Sequence, residues 1–244
     1  MAATKHQLWT LEQLRIACGF YFTLPFGRMH KTNPEIIALS RLLDRTPGSL
    51  AMKLTQFASL DPEHQARGVG GLPNTSHGDR QVWAEFQVNW SESIASSQVA
   101  RHELEQPSSK PTEDIRLTKV RLEQSAFRTI VLAAYRNQCC LTGNPISQLL
   151  VASHILPWSV FPDHRLDPRN GLCLSAEFDK AFDRHLIAFD NQLQLLLSPQ
   201  ISREASNPYV AHHLLARKGA TLQLPERFAP SSEFLAMHRD QLVP

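Results

Sequence analysis

The residue types that could do chemistry gather between Val151 and Asp183. Ala152-Ser153-His154-Ile155 comes first, then Asn170-Gly171-Leu172, then Asp179-Lys180-Ala181-Phe182-Asp183. A lone His, a downstream Asn and a carboxylate at a further fixed offset are the parts of a one-metal phosphodiesterase. Phosphodiester hydrolysis needs a base that takes a proton from water, a cation that neutralises charge growing on the phosphate, and stabilisation of the leaving 3′ oxygen. His154 suits the first task, because imidazole titrates near neutrality. Oxygen ligands at Asp179, and at Asp183, suit a hard Mg²⁺-type ion. Asn170 can hold a loop by side-chain hydrogen bonds and so aim the His.

These residues need a particular scaffold. Leu149-Leu150-Val151 reads as a strand running into Ser153-His154. Leu166–Asn170 reads as a polar loop, and Asn170–Leu174 as a turn entering a short strand. Ser175 can cap a helix, with Glu177 in its first turn. Asp179 and Asp183 are four apart on that helix, so both carboxylates point the same way. The expected unit is strand, strand, helix.

In its motifs the stretch Cys140–Phe189 resembles the HNH endonuclease family, which uses the ββα-metal fold. Ala-Ser-His-Ile-Leu-Pro-Trp-Ser, Leu-Asp-Pro-Arg-Asn-Gly-Leu-Cys-Leu-Ser and Asp-Lys-Ala-Phe-Asp look like the bacterial branch found in restriction and phage-defence nucleases. The resemblance implies that His154 is the general base, that Asn170 is the central Asn, that Asp179 ligates the metal and that Asp183 is a second ligand position. It implies one divalent cation per site, Mg²⁺ or Mn²⁺ or another, and double-stranded DNA as partner. Two departures stand out. Many members place Asp or His directly before the base, where this chain has Ser153. Many carry paired Cys-x-x-Cys knuckles, where this chain keeps one Cys in Cys140-x-x-Gly143 and one in Cys173-x-x-Ala176. Two thiols do not complete a tetrahedral zinc site, so no structural zinc is expected.

The rest of the chain reads as helices that could position a substrate. Thr10 with Gln13 forms a capping box for a helix over Thr10–Thr23. Asn33-Pro34 and Thr46-Pro47 each pair an N-cap with Pro at the first helical position. The second of these helices runs over about Pro47–Ser59, with Leu50, Leu54 and Phe57 on one face and Ser49, Lys53 and Gln56 on the other. Two short helices of this kind suit a helix-turn-helix, with Lys53 and Gln56 as DNA contacts. An ordinary helical hairpin with a solvated polar face gives the same pattern. Asp79–Ser93 is a further helical segment, whose Trp83 and Trp90 read as core. The polar stretch 96–112 reads as a linker. The expected organisation is therefore α+β: a helical DNA-binding domain over 1–95, then a nuclease domain over 113–244 that opens with a long helix over Ile115–Asn137.

That long helix carries Arg116, Lys119, Arg121, Arg128 and Arg136 against Glu123, a local excess that the chain's net charge of +2 hides. It could track phosphate, or be a solvated surface. Arg128, with Arg165, Arg169 and Arg184 near the motif, is a candidate phosphate contact. His164 and His185 also flank the motif without an assigned task, and adjacent His212-His213 cannot share a helix face.

Four Cys do not make a secreted disulfide framework, and the start of the chain has no apolar signal core. No run approaches a membrane span. A soluble cytoplasmic protein is expected. If a one-metal site makes double-strand cuts, a homodimer is expected too. Two other readings fit the same residues: a DNA-binding regulator whose nuclease unit has lost its metal at Ser153, and a nuclease directed at RNA or single strands.

Overall fold

The computed structural model describes residues 8–68, 70–106 and 112–244, with side chains from Thr118 onward in the last stretch. It is a mixed helix–strand structure in two compact units, Met1–Ala126 and Phe127–Pro244. Among the described residues, no helix is long and apolar enough to cross a membrane.

The first unit is helical: α1 (Leu11–Tyr21), α2 (Pro34–Leu42), α3 (Pro47–Leu60), α4 (Pro62–Ala66), α5 (His77–Val88) and α6 (Trp90–Glu105). The helix starts follow the sequence signals. Thr10 and Gln13 form the reciprocal capping box of α1, while Asn33 and Thr46 cap α2 and α3 ahead of Pro34 and Pro47. Phe20, Tyr21, Phe22, Phe57 and Phe86 fill the core. Trp83 and Trp90 pack on Phe22, with ring centroids 5.6 and 4.7 Å away, but both are only half-buried, so they sit at the edge of the core expected for them. A Cβ on Gly19 would lie 2.1 Å from Ser97 Oγ, so only glycine lets α1 and α6 approach this closely.

Three expectations for this unit are corrected. First, the polar face expected of α3 is only partly solvated. Lys53 is turned inward, where its ammonium donates to both carboxylate oxygens of Asp79 at 2.8 and 2.9 Å. The two side chains are only 8% and 0% exposed. Second, Gln56 donates to the Asn74 carbonyl at 2.6 Å, while Leu72 N–H bonds the Thr55 carbonyl, so the 70–76 segment covers that side of α3. Lys53, buried in its ion pair, cannot enter a groove, whereas Gln56 stays half-exposed. Third, 96–105 is not linker but the body of α6, with Ser97 buried. The remainder of the expected linker, 107–111, lies outside the described residues.

The second unit opens inside α7 (Thr112–Ala134), which closes where Arg136 and Asn137 take left-handed conformations, φ 55° and 56°. Strands β1 (Leu150–His154) and β2 (Gly171–Ser175) pair antiparallel, with His154 opposite Gly171 and Leu150 opposite Ser175. Helix α8 (Ala176–Asp183) follows directly and packs on both strands through buried Phe178, Ala181 and Phe182. Ser175 stands at its N-cap but makes no side-chain cap, because its hydroxyl meets Thr142 Oγ1 at 3.0 Å instead. A second antiparallel pair, β3 (Ile187–Phe189) with β4 (Leu195–Leu197), is followed by α9 (Pro199–Arg203).

Helix α10 (Ser232–Arg239) closes the unit against β3. It is pinned by His238, which stacks on Phe182 at 3.6 Å and donates from Nε2 to the Phe182 carbonyl at 3.0 Å. Burial lowers the His238 pKa to about 4, so the ring is neutral there. All four cysteines are buried free thiols. Cys139 Sγ accepts N–H bonds from Thr142 (3.4 Å) and Ser175 (3.2 Å), which ties the 139–143 turn to the start of α8.

Candidate active site

The site assembles at the far end of the β1–β2 ladder. His154 is the last residue of β1, and a separate contact holds each part of its ring. Nε2 lies 3.1 Å from the Arg165 carbonyl oxygen. A carbonyl only accepts, so this nitrogen carries the proton and Nδ1 keeps the lone pair. The ring stacks on Phe127 with centroids 3.7 Å apart and planes 12° from parallel. Trp158 meets it edge-on at 5.4 Å. Burial lowers the pKa of His154 below the ordinary histidine value, although the Arg165 carbonyl and the charge of Asp183 oppose the shift.

Asn170, fully buried, ties down the loop that follows the base. Its Oδ1 accepts from Leu156 N–H at 2.8 Å, and its Nδ2 donates to the Leu156 and His164 carbonyls at 3.2 and 3.1 Å. Its own carbonyl receives Ile155 N–H at 2.9 Å. One side chain thus joins the two ends of the 156–164 segment. Arg165 completes the loop: its Nε donates to the Trp158 carbonyl at 2.8 Å, and its guanidinium lies over the Trp158 ring at 5.3 Å.

Asp179 and Asp183 lie one turn apart on α8, Asp179 half-buried and Asp183 exposed. Burial raises the Asp179 pKa above the usual carboxylate value. The Ser153 hydroxyl beside it pulls the pKa down, the like charge of Asp183 pushes it up, and Lys180 opposes. Ser153 Oγ is itself buried and completes no well-formed hydrogen bond.

Hard oxygen donors of this kind fit a small divalent cation held by few protein atoms and otherwise by water and phosphate. Among the described residues, no group of three or more His, Cys, Asp and Glu side chains comes together to hold a metal.

The four arginines are placed differently from one another. Arg169 closes a bidentate pair on Asp167, with Nε and an amino group donating at 3.0 and 2.7 Å, so most of its charge is already matched. Arg165 is built into the loop around the base. Arg184 is exposed at the end of α8, and Arg128 is exposed on α7, reaching the Ser147 carbonyl at 3.5 Å. The side chain of Arg116 lies outside those described. His164 packs on Phe234 at 4.7 Å and His185 on His238 at 4.6 Å, which gives both of them packing contacts.

The sequence reading missed Phe127 and Trp158. Phe127 falls in an ordinary helical apolar stripe and Trp158 in a loop, so neither carries a local signal of contact with His154. Gly171 offered a weak one, since glycine inside a strand can mark close backbone approach. No curated protein matches the chain. Family comparison does place the segment that carries His154, Asn170, Asp179 and Asp183: residues 139–190 match the HNH endonuclease family, which supports a nuclease domain in the chain.

Proposed function

We propose that the second unit is a metal-dependent DNA endonuclease of the HNH type, with the ββα-metal arrangement formed by β1, β2 and α8. A role in restriction or phage defence, and action in the cytoplasm, follow from the branch that its motifs resemble. The observation that carries the reading is one neutral imidazole locked through Nε2 at the end of β1, in the same family-matching segment as a helix that carries two carboxylates one turn apart.

In this reading His154 takes a proton from water at Nδ1. The Arg165 carbonyl keeps Nε2–H oriented and stabilises the imidazolium once the proton arrives. Asp179 and Asp183 would hold the divalent cation, Mg²⁺ or Mn²⁺ among the candidates. When bound, that cation supplies charge neutralisation at the phosphate and at the leaving oxygen. Asn170 supports the loop whose carbonyl orients the base. Arg184 and Arg128 are the arginines best exposed to meet phosphate, and the products are 5′-phosphate and 3′-hydroxyl ends. Two copies would be needed for a concerted double-strand cut.

The test is cleavage of supercoiled plasmid by the full chain with Mg²⁺, Mn²⁺ or chelator, on modified and unmodified DNA, beside single-stranded DNA and RNA. Metal-dependent nicking of duplex supports the reading. Duplex binding without cleavage in any metal indicates a regulator with a lapsed site. Cleavage confined to RNA or single strands indicates an effector of a different class.

A further inference from the structure

We propose that Phe127 is a positioning residue that fixes the plane of the His154 imidazole, and that residue 171 is glycine because a side chain there would displace Phe127. The inference rests on the nuclease reading for its kinetic consequence, but not for its geometry.

A single hydrogen bond from Nε2 to a main-chain carbonyl leaves an imidazole free to swing about the bond axis. A flat partner removes that freedom. Phe127 is 2% exposed and lies parallel to the ring at 3.7 Å, while Trp158 meets the ring edge-on at 5.4 Å. Together these rings and the Arg165 carbonyl leave Nδ1 one direction in which to present its lone pair.

The opposite strand is shaped to admit Phe127. Gly171 faces His154 across the β1–β2 ladder. A Cβ built on it would lie 2.9 Å from Phe127 Cζ, 2.5 Å from Val131 Cγ2 and 3.2 Å from the Pro168 carbonyl oxygen. The backbone at Gly171, φ −129° and ψ 140°, is ordinary extended chain that any residue adopts. The demand for glycine is therefore one of space and not of conformation. Two positions 44 apart in the chain, Phe127 and Gly171, thus serve one ring.

The test uses F127L, F127Y and the double variant G171A/V131A in the full chain. The double variant relieves the Val131 clash and leaves the one with Phe127. Two readouts are taken: steady-state cleavage of plasmid, and the tautomer of His154 from long-range proton–nitrogen correlation spectra, assigned by H154A. In the wild type the spectra should show a single Nε2–H tautomer. F127L should lower kcat on the order of 10- to 100-fold with KM unchanged, and should mix the tautomers or broaden the His154 signals. F127Y, which restores a flat ring, should recover both. G171A/V131A should behave like F127L.

Unchanged kcat together with an unchanged single tautomer in F127L overturns the proposal. So does equal loss in F127L and F127Y. If F127L does not fold, F127Y and the double variant decide the matter by the same criteria. If the wild type cleaves nothing, the nuclease reading falls, and the tautomer spectra alone judge the role of Phe127.

Discussion

Leu156 and Asn170 are bound to each other twice through one amide side chain: the Leu156 N–H donates to Oδ1 and the Leu156 carbonyl accepts from Nδ2. The pairing closes the loop after the base in the way a strand ladder would, although only one partner contributes backbone. N170A would leave the Leu156 N–H and carbonyl unpaired, each costing about 1–3 kcal/mol, while the His164 carbonyl keeps its bond from the Asp167 N–H. We expect a loss of several kcal/mol in chemical denaturation. N170D keeps the acceptor and loses the donor, and should fall between wild type and N170A.

H154A should abolish metal-dependent cleavage, by ~10²-fold or more, while circular dichroism and duplex binding stay as in wild type. Cleavage at the wild-type rate would remove His154 from the mechanism.

The acidity of His154 sets a pH dependence. Its pKa is depressed by burial, so the neutral, proton-accepting form persists below the ordinary histidine range. Cleavage should stay on its plateau at pH 6.5 and fall only at lower pH. The same depression means that the folded state takes up a proton less readily than the unfolded one. The stability due to this residue is present above about pH 6.5, and is lost as pH drops toward the folded-state pKa. A profile with its acid limb above pH 6.5 would contradict this.

D179N and D183N should each weaken activation by Mn²⁺, raising the half-activating concentration by tenfold or more, and the double variant should be inactive. A complementary variant, S153D, adds a carboxylate beside Asp179. Without divalent cation it should be less stable than wild type, because a further charge is buried near two others. With Mn²⁺ its melting temperature should rise by more than that of the wild type.

K53M leaves the buried Asp79 side chain without its counter-charge. The expected cost is ~3–5 kcal/mol, read by urea denaturation. At temperatures where the variant is folded, duplex affinity should be unchanged, as befits a residue that faces inward.

How far the sequence could be read follows from the kind of signal each feature leaves. The strand, strand and helix that carry the candidates His154, Asn170 and Asp179 were legible, because residue types uncommon together stand there in the order those elements set. The caps at Thr10, Asn33 and Thr46 were legible because capping is local. Lys53 was misread because its partner, Asp79, is 26 residues away, and helical periodicity reports only neighbours within a turn or two. Phe127 was invisible as a site residue for the same reason. The β3–β4 pair has three residues in each strand, too short for alternation to show. The single helix expected over Asp79–Ser93 is broken at Asn89, where φ is −129°, and nothing in the apolar spacing marks the break.

The acceptor that holds Nε2 of the base belongs to the main chain of Arg165. No point substitution at that position deletes a peptide carbonyl, so the orientation of the imidazole is insulated from most single-codon drift. Insertions and deletions between Trp158 and Arg165 are the changes that would disturb it. Relatives that keep this chemistry should therefore vary the composition of that loop far more freely than its length.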